Sequence, residues 1–408
     1  MWAVVLIKKI RNGGLTLDQT KVKEKTLLNE MIEQLDLPKS VEEKVRQRYQ
    51  SLGDWFNRED STLKNVDIFV QGSFGQGTTI KPLQEGEDYD LDMSCKVNIV
   101  DFKTKYTQKE LMQMVKTELE LYRQKVGIHR GVEEKRRCLR LYYKDEVPFH
   151  LDFVPSIPLE KEKANEYRSG LLKSYQKDEQ FASNLAMNAV NIPDKEKESY
   201  NVISEQWHIS NQQGYLLWFQ NKMAPGKQEL RKASIEPIPV YKQKTVLQRC
   251  IQLLKRHRDT MFADEVVKDS KPISIIITTL AARAYKGEQS IEVAIMNILN
   301  TMPNYINAGI PRIPNPVKPE EDFTDRWDDP KFAQLELEKN FRLWLRQAEL
   351  DFTQLINEQH VKEIRGILKK GFGLNFSGQT LQNEFGYKSS LPPQSEVIKP
   401  STRPWRKL

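Results

Sequence analysis

Residues 69–92 constrain the fold of this chain more than any other stretch, because they join a tight turn to a charged strand. They read FVQGSFGQGTTIKPLQEGEDYDLD. Gly72 follows an apolar run, and glycine lets the backbone bend and approach an anion closely. Asp90 and Asp92 alternate with apolar residues, so a strand places both carboxylates on one face. The stretch therefore predicts a turn and a strand that open onto one polar site.

The two aspartates are candidates for binding a divalent cation. Two carboxylates this close repel each other unless a cation lies between them. Mg²⁺ binds one or two carboxylates together with substrate phosphates. A D-x-D pair alone is more often a surface strand, but here the Ser73 hydroxyl and its neighbouring amides can donate to phosphate oxygens. Together these features predict a site for a nucleoside triphosphate and its magnesium.

A third strand aspartate, Asp152, lies in the apolar run 147–155. A charged side chain in such a strand needs a partner. A structural salt bridge is one explanation, and a position facing Asp90 and Asp92 is the one that we favour. Three carboxylates can hold two metal ions, one activating a hydroxyl and one neutralising the triphosphate and the leaving pyrophosphate. Asp152 can also accept the proton of the attacking hydroxyl.

Two residues of the second half are candidates for phosphate contacts. Lys255 lies in the segment LKRHRD, residues 254–259. Three cations in four residues usually mark a solvated helix face, and the alternative is a cation that reaches the triphosphate across a cleft. Ser274 opens an apolar helix, where its hydroxyl either caps the turn or contacts phosphate at the helix N-terminus. His150 and the other histidines show no metal-ligand spacing, and we interpret them as structural.

The order of patterns along the chain predicts an α+β core followed by a helical lobe. Ser40 and Glu43 form a capping-box pattern at the start of the second helix. The polar residues 159–200 are interpreted as an irregular excursion between lobes. The expected helices are 22–36, 41–56, 107–125, 244–263, 273–285 and 330–357, the expected strands are 66–71, 89–99, 139–143 and 147–155, and 303–319 is a proline-rich loop.

Composition limits the class of protein. The chain has 408 residues, of which 38% are hydrophobic and 29% charged, which predicts a globular protein with a sizeable core. A net charge of +7 suits anionic substrates such as nucleotides. Three distant cysteines predict reduced thiols and no structural zinc site. The apolar run at residues 3–7 is too short to cross a bilayer and has the wrong charge order for a signal peptide, so we expect a cytoplasmic protein without membrane contact.

Several motifs together resemble one family. They are QGSFGQGT at 71–78, DYDLD at 88–92, HLDFVPS at 150–156, GYLLWF at 214–219, LQRCIQLLKRHRD at 247–259, PISIIITTLAARAY at 272–285 and NPVKPEEDFTDRW at 315–327. The Gly-Ser and D-x-D motifs are similar to those of the polymerase-β-like nucleotidyltransferases. The helical segments resemble, more closely, the bacterial cGAS/DncV-like nucleotidyltransferases, or CD-NTases.

The resemblance implies a polymerase-β-like nucleotidyltransferase core with a C-terminal helical lobe and the active site in the cleft between them. It implies that Asp90, Asp92 and Asp152 are the catalytic triad and the ligands of two Mg²⁺ ions, which Mn²⁺ can replace. The residues that it assigns to the donor triphosphate are Gln71, Gly72, Ser73, Lys255 and Ser274. The boundaries that we expect are 1–205 for the core with its N-terminal helices, 206–387 for the helical lobe and 388–408 for a disordered tail.

The implied activity joins nucleoside triphosphates, ATP among them, into a cyclic di- or trinucleotide second messenger of antiphage (CBASS) signalling. The alternative is another polymerase-β-like transferase that makes linear oligonucleotides or modifies RNA or a small molecule. A binding protein with a dead site is a third reading, and the presence of all three aspartates opposes it. We expect a monomer with a regulatory protein partner. The cysteine cluster of the animal DNA sensor has no counterpart here, so zinc-dependent DNA sensing is not expected.

Overall fold

The computed structural model describes residues 26–84, 86–144, 148–175, 178–224 and 244–389. Contacts divide these residues into a large unit, Leu28–Phe352, and a smaller unit that contains those from Thr353 onwards. The candidate site residues all lie in the large unit. The apolar run at the start of the chain and the expected tail beyond residue 389 lie outside the described residues.

Within the described ranges, a seven-stranded mixed sheet is the centre of the large unit. Its order is β1-β2-β5-β4-β3, with β6 beside β5 and β7 beside β6. Strands β2 and β5 run parallel, whereas β4 and β5 form the expected antiparallel pair. The strands are β1 (Val66–Val70), β2 (Tyr89–Val97), β3 (Glu133–Glu134), β4 (Leu139–Lys144), β5 (Pro148–Pro158), β6 (Val190–Ile192) and β7 (His208–Ser210).

The alternation of apolar and charged residues determines which face of the sheet is buried. Leu91 and Met93 of β2 and Leu151 of β5 belong to the hydrophobic core. Phe56, from a helix before the sheet, packs against Phe153 with ring centroids 5.2 Å apart. Each such side chain contributes about 1.5–3 kcal/mol when it is fully buried. The same alternation leaves the aspartates of β2 and β5 on the opposite face.

Helices flank the sheet strands along the chain. They are α1 (Leu27–Leu35), α2 (Lys39–Phe56), α3 (Gly72–Gln76), α4 (Phe102–Lys105), α5 (Gln108–Lys125), α6 (Lys161–Ser174) and α7 (Glu179–Ala186). The predicted capping box at Ser40 is wrong, because α2 begins directly after Pro38, its N-cap residue. Proline lacks an N–H and its φ is already restricted, so the helix starts there and Ser40 falls inside the first turn.

The interpretation of residues 159–200 as irregular is also wrong. This segment holds α6, α7 and β6. The buried residues of α6 are Tyr167 and Leu171. Two apolar residues four apart carry little periodicity among fourteen, so the sequence pattern was too weak to indicate the helix.

The second half of the large unit is mostly helical, which confirms the α+β class. The predicted helices 244–263 and 273–285 are confirmed as α9 and α10. Residues 330–335 form a 3₁₀ turn ahead of the last helix, and the proline-rich loop contains a short two-stranded ladder. The elements are α8 (Gln212–Met223), α9 (Val246–Met261), α10 (Ser274–Ala284), α11 (Ile291–Thr301), β8 (Pro314–Asn315), β9 (Lys318–Asp322) and α12 (Leu337–Asn357).

The smaller unit contains α13 (Val361–Phe372) and α14 (Gly378–Phe385). Lys388 pairs with its own unit through Val361, whose amide donates to the Lys388 carbonyl. Among the described helices of the whole chain, none combines the length and the apolar character that a bilayer span requires.

Candidate active site

The register between β2 and β5 brings the predicted aspartates together. Asp92 is paired with Asp152, and Asp90 with His150. One ligand atom each of Asp90, His150 and Asp152 lies within 4.8 Å of the others. Because side chains alternate along a strand, all four groups share one face of the sheet. We call Asp90, Asp92 and Asp152 the carboxylate cluster.

The carboxylate cluster is short of positive charge. Burial raises the pKa of Asp92 to about 7, and repulsion by Asp90 and Asp152 adds to this effect. His150 and Lys255 act in the opposite direction without cancelling it. A divalent cation would supply the missing charge, and carboxylate oxygens are the ligands that Mg²⁺ and Mn²⁺ bind. The residues present therefore fit a divalent metal ion.

The turn at Gly72 is fastened against the second aspartate. The Gln71 amide donates to the Asp92 carbonyl at 2.9 Å. Gly72 has a φ of +62°, and a Cβ at this position would lie 1.9 Å from Asp92 Oδ2. A side chain here would thus clash with the carboxylate in a backbone conformation that L residues rarely adopt. Glycine is required because the turn and the carboxylate cluster occupy adjoining space.

A cavity of about 340 Å³ lies beside the carboxylate cluster. Four of the predicted residues line it, namely Ser73, Asp90, Lys255 and Ser274. They come from α3, β2, α9 and α10, so the cavity is formed by the sheet and by the helices that follow it. Its volume is in the range of small-molecule sites. We call it the cleft cavity.

Gln71 does not line the cleft cavity, unlike Ser73, Lys255 and Ser274. Its side chain is buried, and its amide nitrogen donates to the Met93 carbonyl at 3.3 Å. The residues that line the cleft cavity, as far as the structure describes them, include none of Gln71, Gly72, Asp92 and Asp152. A contact between Gln71 and a triphosphate stays a prediction.

The family of the chain follows from comparison with known proteins. The profile of the family described as "Cyclic GMP-AMP synthase DncV-like, nucleotidyltransferase domain" matches residues 66–155, from β1 into β5. This range contains both aspartate strands. Residues 66–155 thus match a DncV-like nucleotidyltransferase domain. The resemblance drawn from the motifs is confirmed, and this match implies the use of a divalent metal ion.

Individual relatives match most of the chain. A c-di-GMP synthase of Roseivirga ehrenbergii is 28% identical over 359 residues, which are 85% of this chain and 83% of the relative. The cyclic dinucleotide synthase CdnG of Bradyrhizobium diazoefficiens is 23% identical over 386 residues, 89% of this chain and 86% of the relative. The solved structure of the CD-NTase CdnG of that organism in complex with GTP matches with a TM-score of 0.57 at 20% identity, covering 85% of this chain and 94% of that one. At that identity the structural match shows a shared fold.

The solvated-face interpretation of the LKRHRD segment is wrong. Lys255, Arg256, His257 and Arg258 are all buried. The Lys255 ammonium donates to the Thr78 hydroxyl at 3.0 Å. Burial, together with repulsion by Arg258, lowers the pKa of Lys255 to about 7. Lys255 and Arg256 thus donate to oxygens of the turn and the segment after it instead of to water.

Three side chains of α9 hold the segment that follows the turn. Gln248 donates to the Gln76 carbonyl at 2.7 Å and Gln252 to the Thr79 carbonyl at 2.9 Å. Arg256 donates to the Lys81 carbonyl at 2.7 Å. These donors are spaced four residues apart, so they form one row along the helix. The row fixes α9, and with it Lys255, relative to the turn at Gly72.

Arg258 is a site residue that the sequence reasoning missed. It lines the cleft cavity, and its Nη1 donates to the Ser274 hydroxyl at 2.8 Å and to the Pro272 carbonyl at 3.0 Å. Because the Ser274 oxygen accepts from Arg258, its own proton remains available for an anion. The available signal was the i, i+3 spacing of Lys255 and Arg258, which places them on one helix face.

The structural reading of His150 needs the same correction. Its Nε2 lies 3.1 Å from Asp90 Oδ1, and this hydrogen bond raises the pKa of the imidazole. The alternation of His150 and Asp152 along β5 was the signal. Asp152 itself also forms an ion pair, because Arg140 Nε and Nη2 donate to its two oxygens at 2.6 and 2.7 Å. Asp152 therefore forms a salt bridge and also lies beside Asp90 and Asp92, so both explanations for its charge in this strand apply.

Proposed function

We propose that this protein joins nucleoside triphosphates into a cyclic di- or trinucleotide second messenger, with release of pyrophosphate. One observation carries the proposal: Asp90 of the carboxylate cluster lines a cavity whose other walls hold the phosphate donors Ser73, Lys255 and Ser274. Nucleotidyl transfer needs this pair of features, because catalysis consists of positioning the phosphates and neutralising charge as the bond changes. The names of the relatives favour cyclic products over linear ones.

The carboxylate cluster is the proposed site of two divalent cations, Mg²⁺ or Mn²⁺. When bound, such ions lower the pKa of an attacking hydroxyl and neutralise the leaving pyrophosphate. The protein holds the carboxylate oxygens in place, because Asp92 and Asp152 lie side by side on the adjacent strands β2 and β5. Asp152 is also the proposed acceptor of the hydroxyl proton.

Three side chains are proposed to hold the donor triphosphate in the cleft cavity. The Ser73 and Ser274 hydroxyls and the Lys255 ammonium supply donors from three separate helices. The backbone of Gln71 and Gly72 shapes the turn that presents Ser73. Binding from several sides restrains the reacting phosphate, which is the main contribution that a protein makes to such a transfer.

A cyclic product requires a second bond between the ends of a linear intermediate. Among the described residues, one group has the spacing of metal ligands, namely Asp90, His150 and Asp152, and Asp92 is the register partner of Asp152. We therefore propose that both bonds form at the carboxylate cluster, with the triphosphate of the linear intermediate returning to the cleft cavity. GTP is the first substrate to test, because a relative is a c-di-GMP synthase, and ATP is the substrate expected from the motifs. The proposal places the enzyme in the cytoplasm, with its substrates, as part of antiphage signalling under a regulatory partner.

The test is product analysis with the purified full chain. It is incubated with the four triphosphates singly and together, with Mg²⁺ or Mn²⁺, and the products are treated with phosphatase and measured by mass spectrometry. We expect a phosphatase-resistant cyclic product. Linear oligonucleotides or labelled RNA alone would support the alternative transferase, and no transfer under any activating condition would refute the proposal.

The matched variants are Asp90→Asn with Asp92→Asn, and Asp67→Asn as control. Asp67 is a carboxylate of β1 that pairs with Lys96 outside the carboxylate cluster. The double variant should fold and make no product, whereas the control should keep its activity. Equal activity of the double variant and the wild type would refute the assignment of the metal ligands.

A further inference from the structure

Arg140 pairs with both carboxylate oxygens of the third aspartate, Asp152. Its guanidinium donates to both oxygens of Asp152, in the bidentate geometry that gives the strongest carboxylate pairing. The two residues are direct partners in the β4–β5 register. The hydrogen bond to Asp152 raises the pKa of Arg140 further. The charge is therefore permanent under all conditions in which the enzyme works.

The position of this pair separates it from an ordinary structural salt bridge. Asp152 lies between Arg140 on β4 and Asp92 on β2, so the guanidinium flanks it on one side and the carboxylate of Asp92 on the other. Both groups are partly exposed, with 24% of the Arg140 side chain and 15% of the Asp152 side chain accessible. The guanidinium can therefore move into solvent without leaving a buried unpaired charge.

His150 has the same relation to the first aspartate. It contacts Asp90 at 3.1 Å from the neighbouring strand. Arg140 and His150 thus each contact one of the two outer carboxylates, whereas Asp92 in the middle has a raised pKa because of its burial and its neighbours. Of these two partners, Arg140 is the one with a fixed charge, so it is the stronger competitor of a metal ion.

We propose that Arg140 is the resident counter-ion of the metal site. It holds Asp152 in place while the site lacks a divalent cation, and it yields Asp152 oxygens when the cation binds, so it sets the metal concentration at which the site fills. This inference rests on the metal assignment of the proposed function. Arg140 is a positioning residue here, since it acts through Asp152.

The test measures Mn²⁺ binding to the full chain by electron paramagnetic resonance, with titration calorimetry as a second method. Removal of one positive charge beside the ligands should tighten binding by about tenfold in Arg140→Gln. Arg140→Lys keeps the charge and loses the bidentate contact, so we expect a gain of about threefold or less. Lys96→Met removes the same charge from an ion pair elsewhere on the sheet and should bind Mn²⁺ as the wild type does.

Thermal unfolding distinguishes this role from a merely structural one. In EDTA, Arg140→Gln should melt below the wild type, because three carboxylates lose a counter-ion, and saturating Mn²⁺ should restore its Tm to that of the wild type. Under the proposal the metal concentration for half-maximal activity also falls in this variant.

Unchanged or weaker Mn²⁺ binding in Arg140→Gln, or a Tm that Mn²⁺ does not restore, overturns the inference. If Arg140→Gln does not fold, Arg140→Lys decides: binding weaker than in the wild type contradicts the proposal, and equal or tighter binding supports it. Failure of the wild type to bind Mn²⁺, alone and with a triphosphate, would instead overturn the metal assignment of the proposed function and this inference with it.

Discussion

Two aspartates in the large unit have opposite electrostatic states. Asp194 is fully buried, and burial alone would raise its pKa, but hydrogen bonds from Arg136 and Arg137 outweigh this and hold the pKa well below its ordinary range. Each arginine donates twice to it, at 2.8–2.9 Å. Asp92 is surrounded by other carboxylates, and its pKa is raised to about 7.

The difference separates a carboxylate that stabilises the fold from one that waits for a ligand. Asp194 joins the segment after β6 to the two arginines just before β4, and its own amide donates to Gln108 at 2.8 Å. All its charge is compensated within the chain. The charge of Asp92 is compensated only in part, which is typical of a functional site, where the ligand completes the electrostatics.

The largest expected effect is the loss of activity when Asp92 is replaced. Asp92→Asn removes one oxygen charge from the carboxylate cluster, so nucleotidyl transfer should fall about a thousandfold or more. Stability of the metal-free protein should not fall, because repulsion with Asp90 and Asp152 is relieved. Single-turnover rates and thermal unfolding in EDTA measure both quantities. A variant that is strongly destabilised and retains its rate per folded molecule would show that Asp92 is structural.

Asp194→Asn should have the opposite signature. Loss of the charge leaves two guanidiniums facing a neutral amide, and we expect the free energy of unfolding to drop by about 2–4 kcal/mol. The cost stays below that of a fully buried pair because both arginine side chains are partly exposed, at 44% and 36%. Denaturant unfolding measures it. At a temperature where the variant is folded, its metal affinity should match that of the wild type. A loss of metal binding would show that Asp194 also contributes to the metal site.

Gly72→Ala tests whether the position of the Asp92 carboxylate depends on its packing against the turn. The added methyl would meet Asp92 Oδ2 at 1.9 Å, so the carboxylate must move and activity should fall about a hundredfold. Gly127→Ala is the matched control, because Gly127 also has a positive φ, +77°, but its Cβ would meet nothing within 4 Å. Both variants should lose about 1 kcal/mol or more from backbone strain, and only the first should lose activity. Similar activities in the two variants would contradict the close packing of turn and carboxylate.

The sequence predicted those parts of the site that follow from local spacing. The D-x-D pair shares a face because a strand has a period of two, and glycine at residue 72 follows from the turn. The counter-ions were not predicted. Arg140 and His150 meet the aspartates across strands, and the strand register depends on the whole sheet and not on separation along the chain.

The helical side of the site shows a second limit. The periodicity of α9 indicated its apolar face correctly, but it left open whether the opposite face is solvated or reaches the triphosphate. A pattern of 3.6 residues distinguishes apolar from polar, but it cannot distinguish a polar face in water from one that donates to backbone carbonyls, as Gln248 and Arg256 do. The domain boundaries expected at 205/206 and 387/388 and the nucleotide contacts stay predictions.

The smallest expected effect concerns pH. It tests whether the triphosphate compensates the charge of Lys255 as the metal ion compensates the charge of Asp92. The pKa of Lys255 is lowered to about 7 by burial and by Arg258. Below that pH the lysine is already charged and binds an anion directly. Above it, binding must take up a proton, so the apparent KM for the triphosphate should rise by up to about tenfold between about pH 7 and pH 8.

Two variants isolate this effect from the ionisation of the nucleotide itself. Lys255→Gln should raise KM at pH 7 and lose most of the further rise, because the titrating group is gone. Lys222→Gln is the matched control, since burial also lowers the pKa of Lys222 but this residue does not line the cleft cavity. Its pH profile should follow the wild type. If the wild type and Lys255→Gln have the same pH dependence of KM, the lysine does not bind the triphosphate. Asp92 would then be the one residue of the two whose charge a ligand compensates.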